Sequence, residues 1–118
     1  MKEPYEGVRR HKLLTKEIRD ALPALYATDE VKLSDKTIVC KFFSPFNGWR
    51  WYATEFDGED TFFGVVVGWE TEWGYFSLSE LASVAVAGNT VPAVERDLSF
   101  SPCLVKDIPE LAEKYATT

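Results

Sequence analysis

The stretch from Phe42 to Phe76, FFSPFNGWRWYATEFDGEDTFFGVVVGWETEWGYF, holds thirteen of the seventeen aromatic residues and all four tryptophans. Side chains this large must be buried somewhere, and here they fall in short aromatic and β-branched runs separated by turn-forming residues, the pattern of paired strands. Thr37–Phe43 reads as a first strand with Ile38, Cys40 and Phe42 on one face. Pro45-Phe46-Asn47-Gly48 is a turn, after which residues 49–56 return with Trp49, Trp51 and Ala53 on one face and Arg50, Tyr52, Thr54 and Phe56 on the other. Asp57-Gly58-Glu59-Asp60 turns the chain again into a third strand, Thr61–Gly68, and a link through Trp69–Trp73 leads to a fourth, Gly74–Leu78. Gly64 and Gly68 interrupt the third strand. A glycine there marks a bulge or a place where a bulky neighbour crosses the backbone.

The flanks supply helices. Thr15 is a good N-cap for KEIRDAL, which puts Ile18 and Leu22 on one helical face before Pro23 breaks the pattern. Ala93–Phe100 reads as a last strand, and Asp107 with Pro109 opens a closing helix through Tyr115. The expected fold is α+β: an antiparallel β-meander of about four to five strands, with a short N-terminal and a short C-terminal helix packed on it. Residues 1–12 contain Pro4 and Gly7 and show no apolar period, so they read as a flexible leader to a single α+β domain over residues 13–118.

Composition removes several function classes. A net charge of −6 opposes binding to a phosphate backbone, although Lys2, Arg9, Arg10, Lys12, Lys16 and Arg19 form a basic N-terminal arm that keeps a nucleic-acid-associated role as an alternative. His11 is the only histidine, which rules out a His-based triad or a multi-histidine metal site within one chain. Neither cysteine has a CxxC partner and no phosphate-cradling glycine motif is present, so no catalytic residue, metal or cofactor is assigned. Cys40 and Cys103 read as reduced, buried thiols, and no apolar run reaches the ~18 residues of a membrane span. The expectation is a cytoplasmic protein, a monomer or small homo-oligomer.

Folding accounts for the aromatic residues but gives no reason for the carboxylates among them. Between Arg50 and Glu80 lie Glu55, Asp57, Glu59, Asp60, Glu70, Glu72 and Glu80, against the one cation Arg50. Acidic turns beside an exposed tryptophan suit a basic protein partner, and the candidate partner-binding residues are Asp57, Glu59, Asp60, Trp69, Glu70, Glu72 and Trp73. Arg50, Glu95, Arg96 and Asp97 form a second candidate, a polar cluster that reads as a sheet-face ion pair or a substrate clamp. A small hydrolase or metal-dependent enzyme using Glu55, Asp57, Glu70, Glu72 or Asp97 with Arg96 is the less favoured alternative.

The ordered blocks LLTKEI, ALYAT, KFFSPFNGWRWYATEFDGEDTFFGVVVG, EWGYFSLSEL and VERDLSF resemble the domain of unknown function 2958 family over roughly Leu13 to Phe100. The resemblance implies a small bacterial protein carried on plasmids, phages and integrative elements, and it brings no catalytic residues with it. The reading that follows is a non-catalytic protein-interaction module of a mobile element, inhibiting or modulating a host or element-encoded protein.

Overall fold

The computed structural model describes residues 3–115; Met1 and Lys2 of the leader and residues 116–118 of the domain lie outside the described residues. Helix α1 (Glu6–Arg9) and helix α2 (Lys16–Ala21) precede strands β1 (Thr37–Ile38), β2 (Cys40–Phe43), β3 (Arg50–Phe56), β4 (Thr61–Val67) and β5 (Thr71–Ser77). Helix α3 (Leu78–Ser83), strands β6 (Ala85–Val86), β7 (Val91–Pro92), β8 (Glu95–Arg96) and β9 (Cys103–Leu104), and helix α4 (Pro109–Tyr115) follow, with short 3-10 turns at Leu33–Asp35 and Val105–Asp107. The main sheet is antiparallel, in the order β5-β4-β3-β2-β8. It is the expected meander extended by β8 at one edge.

Its two faces carry separate cores. Cys40, Phe42, Ala53, Phe56 and Phe62 face Leu13, Leu14, Leu22, Leu81 and Ala82, which α2, α3 and their flanks supply, and Val94, which lies between β7 and β8. Phe62 lies at the centre, with ring centroids 5.4 Å from Phe42, 4.6 Å from Phe56 and 5.2 Å from Phe76. On the opposite face Tyr52, Val65 and Val67 pack with Ile38, Val105, Leu111 and Tyr115 under α4. The N-terminal and C-terminal helices therefore sit on opposite sides of the sheet, each burying one apolar stripe.

Two irregularities rearrange the expected faces. The first strand divides at Val39: β1 pairs with β9 while β2 pairs with β3, and Ile38 joins the α4 core instead of sharing a face with Cys40 and Phe42. In β3 the register slips between Ala53 and Glu55, so that Ala53 opposes Gly64 and Glu55 opposes Phe63. Thr54 is the extra residue of a bulge, and an odd insertion reverses every side chain beyond it. Phe56 thereby returns to the face of Ala53, not that of Tyr52. Both interrupting glycines are explained. A Cβ on Gly64 would lie 1.8 Å from the Tyr52 carbonyl oxygen, and one on Gly68 would lie 2.6 Å from the Trp49 ring.

The ends behave as local chemistry dictates. Thr15 Oγ1 accepts the Ile18 N–H, a cap worth about 1 kcal/mol, and α2 stops before Pro23. Ser77 caps α3 in the same way. The last strand is shorter than Ala93–Phe100. Only Glu95 and Arg96 pair with β2, because the Asp97 carboxylate accepts from the Ser99 N–H and hydroxyl and turns the chain out, leaving Leu98 exposed. Asp107 accepts from the Leu104 N–H instead of capping α4, which begins at Pro109.

The described part of the segment read as a flexible leader lies along the domain. Arg9 is 7% exposed and donates to the carbonyls of Val94 (2.9 Å) and Ala82 (3.3 Å), while Glu3 accepts from the N–H groups of Leu13 and Leu14. His11 accepts the Arg96 N–H at 3.1 Å through Nε2. Burial, reinforced by the Arg96 charge, pushes the imidazole below its usual range, with the Nδ1 contact to the Arg9 carbonyl and, more weakly, Glu95 opposing. A depressed histidine contributes stability above its unfolded value, near 6.5, that is lost as the pH falls through the folded value. Acidification from about pH 7.5 to 5 is therefore expected to release residues 3–12 first. The check is amide exchange at Arg96, which should accelerate severalfold while the β3–β4 ladder stays protected; uniform exchange across both would refute this.

Candidate functional site

Because β3 and β4 run antiparallel, the turn after β2 and the turn after β4 meet at one end of the sheet. Pro45–Asn47 and Gly48, with φ at +77°, form the first turn, and Asn47 Oδ1 fixes its exit by accepting the Trp49 N–H. Trp49 then lies across Gly68, the position where only a glycine leaves room for the ring. Trp51 stands 6.2 Å from Trp49, and Trp69 meets Trp49 edge-on at 6.5 Å and 85°. Trp69 is 93% exposed. A cleft of about 540 Å³ lined by Asn47, Trp49, Arg50, Val67 and Trp69 opens on one side of it. A second, of about 310 Å³, is lined by Trp49, Val66, Trp69, Glu70 and Glu72. Glu70 and Glu72 are exposed, and neither carboxylate has an ion-pair or hydrogen-bond partner among the described residues.

The opposite end of the sheet holds the other acidic turn, a seven-residue strand or roughly 20 Å away. Its carboxylates are used by the fold. Asp57 Oδ1 accepts the N–H groups of Glu59, Asp60 and Thr61 at 2.8, 2.8 and 3.0 Å, and these bonds hold its carboxyl below the usual range. Asp60 accepts from the Ser77 hydroxyl at 2.5 Å and from the Ser79 N–H at 2.8 Å, tying the turn to the start of α3, and the Ser77 bond lowers its pKa. Only Glu59 is left as a plain solvated acid there. The candidate residues thus divide: Trp69, Glu70 and Glu72 lie together, Asp57, Glu59 and Asp60 lie apart from them, and Trp73 packs between Phe63 (5.4 Å) and Tyr115 (5.8 Å) on the α4 face.

The candidate polar cluster also separates. Arg50 makes a two-pronged contact with Glu110 of α4, Nε to Oε2 at 2.8 Å and Nη2 to Oε1 at 2.5 Å, and the Tyr52 hydroxyl donates to the same carboxylate at 2.5 Å. The Arg50 bond holds the Glu110 carboxyl below its usual range, while burial and the neighbouring carboxylate push the Tyr52 hydroxyl up. Asp97 pairs with Lys41 at 3.6 Å. The Arg96 guanidinium donates to the Lys12 and Leu13 carbonyls. Arg50 and Asp97 share one groove, but Glu95 and Arg96 do not line it.

One polar group has a structural role that the sequence reading did not give it. Glu55, named only among possible enzyme carboxylates, is 2% exposed and lies 3.7 Å from the equally buried Lys36. Both engage Thr28: Glu55 Oε2 accepts from its N–H (3.2 Å) and hydroxyl, and Lys36 Nζ donates to its carbonyl (2.5 Å) and Oγ1 (2.7 Å). Glu55 Oε1 also accepts the Tyr26 N–H at 2.8 Å. No periodic signal joins these residues, because the bulge at Thr54 decides which way Glu55 points. Cys40 is buried and its thiol is pushed up to about 12, mainly by burial, whereas Cys103 is only half-buried, contrary to the expected pair of buried thiols. Among the described residues no three His, Cys, Asp or Glu side chains converge as metal ligands, and no helix is long and apolar enough to cross a membrane.

The fold and this sheet end define a small α+β domain built on an antiparallel five-stranded sheet, with one exposed tryptophan between two clefts. The chain belongs to the family described as Protein of unknown function (DUF2958), whose profile matches residues 13–112. No curated protein and no solved structure matches it.

Proposed function

We propose that this protein is a non-catalytic protein-interaction module, working in the bacterial cytoplasm for a mobile element, which docks a basic protein partner on the Trp69 end of its sheet. The observation that carries this reading is the exposure of Trp69, an indole braced by Trp49 and flanked by two carboxylates without partners. The edge contact with Trp49 covers little of this indole in the monomer, whereas on docking it can contribute about 2 kcal/mol or more as an anchor. The acids named for a carboxylate enzyme support that role poorly: Glu55 is buried in a salt bridge, Asp57 is consumed by its own turn, Asp97 pairs with Lys41, and Glu70 and Glu72 lie at the far end of the sheet.

Trp69→Ala is expected to change folding stability by less than about 0.5 kcal/mol, as for other surface sites. Capture of a saturable partner from lysate of the bacterial host should nevertheless fall at least tenfold, and Glu70→Lys with Glu72→Lys should do the same. Capture that is equal for wild type and both variants would remove the reading.

A further inference from the structure

We propose that the outer edge of β5 takes up an extended, cationic segment of a partner protein as a sixth strand of the sheet; this rests on the interaction reading and specifies how the partner binds. The sheet has two edges. At one, β8 is two residues long and its Arg96 N–H is already donated to His11. At the other, β5 runs for seven residues without a break in register against β4.

The direction of the backbone groups on β5 follows from the bonds at its two ends. The Gly68 N–H donates to the Glu70 carbonyl and the Leu78 N–H to the Asp60 carbonyl, so the even-numbered residues of β5 face β4. The odd-numbered residues face outward, and Lys114 Nζ and the Tyr115 hydroxyl accordingly reach the Thr71 carbonyl from outside at 2.5 and 3.1 Å. The N–H and C=O groups of Trp73 and Tyr75 point the same way, and no described residue takes them. Proteins normally protect such an edge with proline, lysine, a bulge or a covering loop. TEWGYFS has no proline, no lysine and no bulge.

The surroundings select the occupant. Glu70 and Glu72 stand unpaired at one end of the edge, beside the exposed Trp69. Lys114 is the cation placed against this edge, at the Thr71 end. Tyr75 is 55% exposed and Tyr26 64% exposed, offering ring faces on which a guanidinium can lie. A second copy of the chain would instead bring two bodies of net charge −6 together. Strand addition supplies affinity through main-chain bonds, and the alternate side chains supply specificity.

The test uses the full chain and two ten-residue peptide probes, one alternating arginine with valine and one alternating glutamate with valine. The arginine peptide is expected to slow amide exchange at Trp73 and Tyr75 at least tenfold at saturation, and the glutamate peptide to leave both unchanged. Tyr75→Pro removes an outward N–H that the β4 ladder does not use, so the variant should keep its far-ultraviolet spectrum and bind the arginine peptide at least tenfold more weakly. The same peptide N-methylated at alternate residues should lose binding to the wild-type protein. Equal binding by Tyr75→Pro, combined with loss in Trp69→Ala, would overturn strand addition and leave the sheet-end reading standing. Absence of binding by the arginine peptide would overturn the proposal, as would protection of Trp73 and Tyr75 without peptide in a sedimenting dimer.

Discussion

Glu55→Ala should destabilise the domain by about 3–5 kcal/mol, the usual cost of removing one partner from a buried ion pair. The argument is local. Lys36 is 4% exposed, and its charge is tolerated there because Glu55 lies 3.7 Å away and Thr28 accepts two of its protons. Truncation leaves that ammonium without a counter-charge and strands the N–H groups of Tyr26 and Thr28, which Glu55 accepts at 2.8 and 3.2 Å. Tyr26 sits at φ +70°, a left-handed conformation that a non-glycine residue keeps only when something holds it. Against a typical domain stability of about 5–15 kcal/mol, the loss is large enough to leave a measurable unfolded fraction at 37 °C. Urea denaturation of Glu55→Ala, beside the paired Glu55→Gln with Lys36→Met, provides the check. The double variant should recover much of the loss, because it removes the stranded charge together with its partner. A single variant within about 1 kcal/mol of wild type would mean that the network is solvated and not structural.

Gly64→Ala should be the most damaging single methyl in the sheet. Its Cβ would stand 1.8 Å from the Tyr52 carbonyl oxygen and 3.1 Å from the Ala53 Cα, both backbone atoms of the neighbouring strand. Neither can rotate aside, so β3 and β4 must separate at the bulge, and the cost should be at least ~3 kcal/mol, the upper range for overpacking. Gly74 lies opposite Gly64 on β5, and a Cβ there meets nothing within 4 Å. Gly74→Ala should therefore be neutral or stabilise by about 0.4–1 kcal/mol through the unfolded chain. The two denaturation midpoints, measured side by side, test the close approach of β3 to β4 at Gly64. Similar midpoints would contradict it.

Much of the fold is legible in the chain because it rests on near-neighbour chemistry. The turns at Pro45–Gly48 and Asp57–Asp60, the Thr15 cap and the stop at Pro23 are each decided by a few adjacent residues. Gly68 marked a crossing ring, which Trp49 supplies, and Gly64 marked a close approach, although the bulge beside it lies on the neighbouring strand β3 and not on β4 itself. The failures come from events that alternation cannot register. The extra residue Thr54 moves Phe56 and Glu55 to faces opposite those that counting by twos gives them, and the division at Val39 does the same to Ile38.

The candidate site shows the same limit. Asp57, Glu59 and Asp60 and Glu70 and Glu72 look alike in sequence, as acids at hairpin turns. In the fold Asp57 serves its own turn and Asp60 ties that turn to the start of α3, while Glu59 is solvated and Glu70 and Glu72 remain unpaired beside Trp69. Arg50 was expected near Asp97 and the residues beside it, yet Glu110, sixty positions along the chain, takes its guanidinium. Composition and local spacing alone determined that an aromatic meander must form, where it turns, and that acids outnumber bases along it. Only the tertiary structure decided which of those acids are spent on the fold and which remain free, because that depends on which strands meet, and pairing between distant segments leaves no mark on the spacing of either.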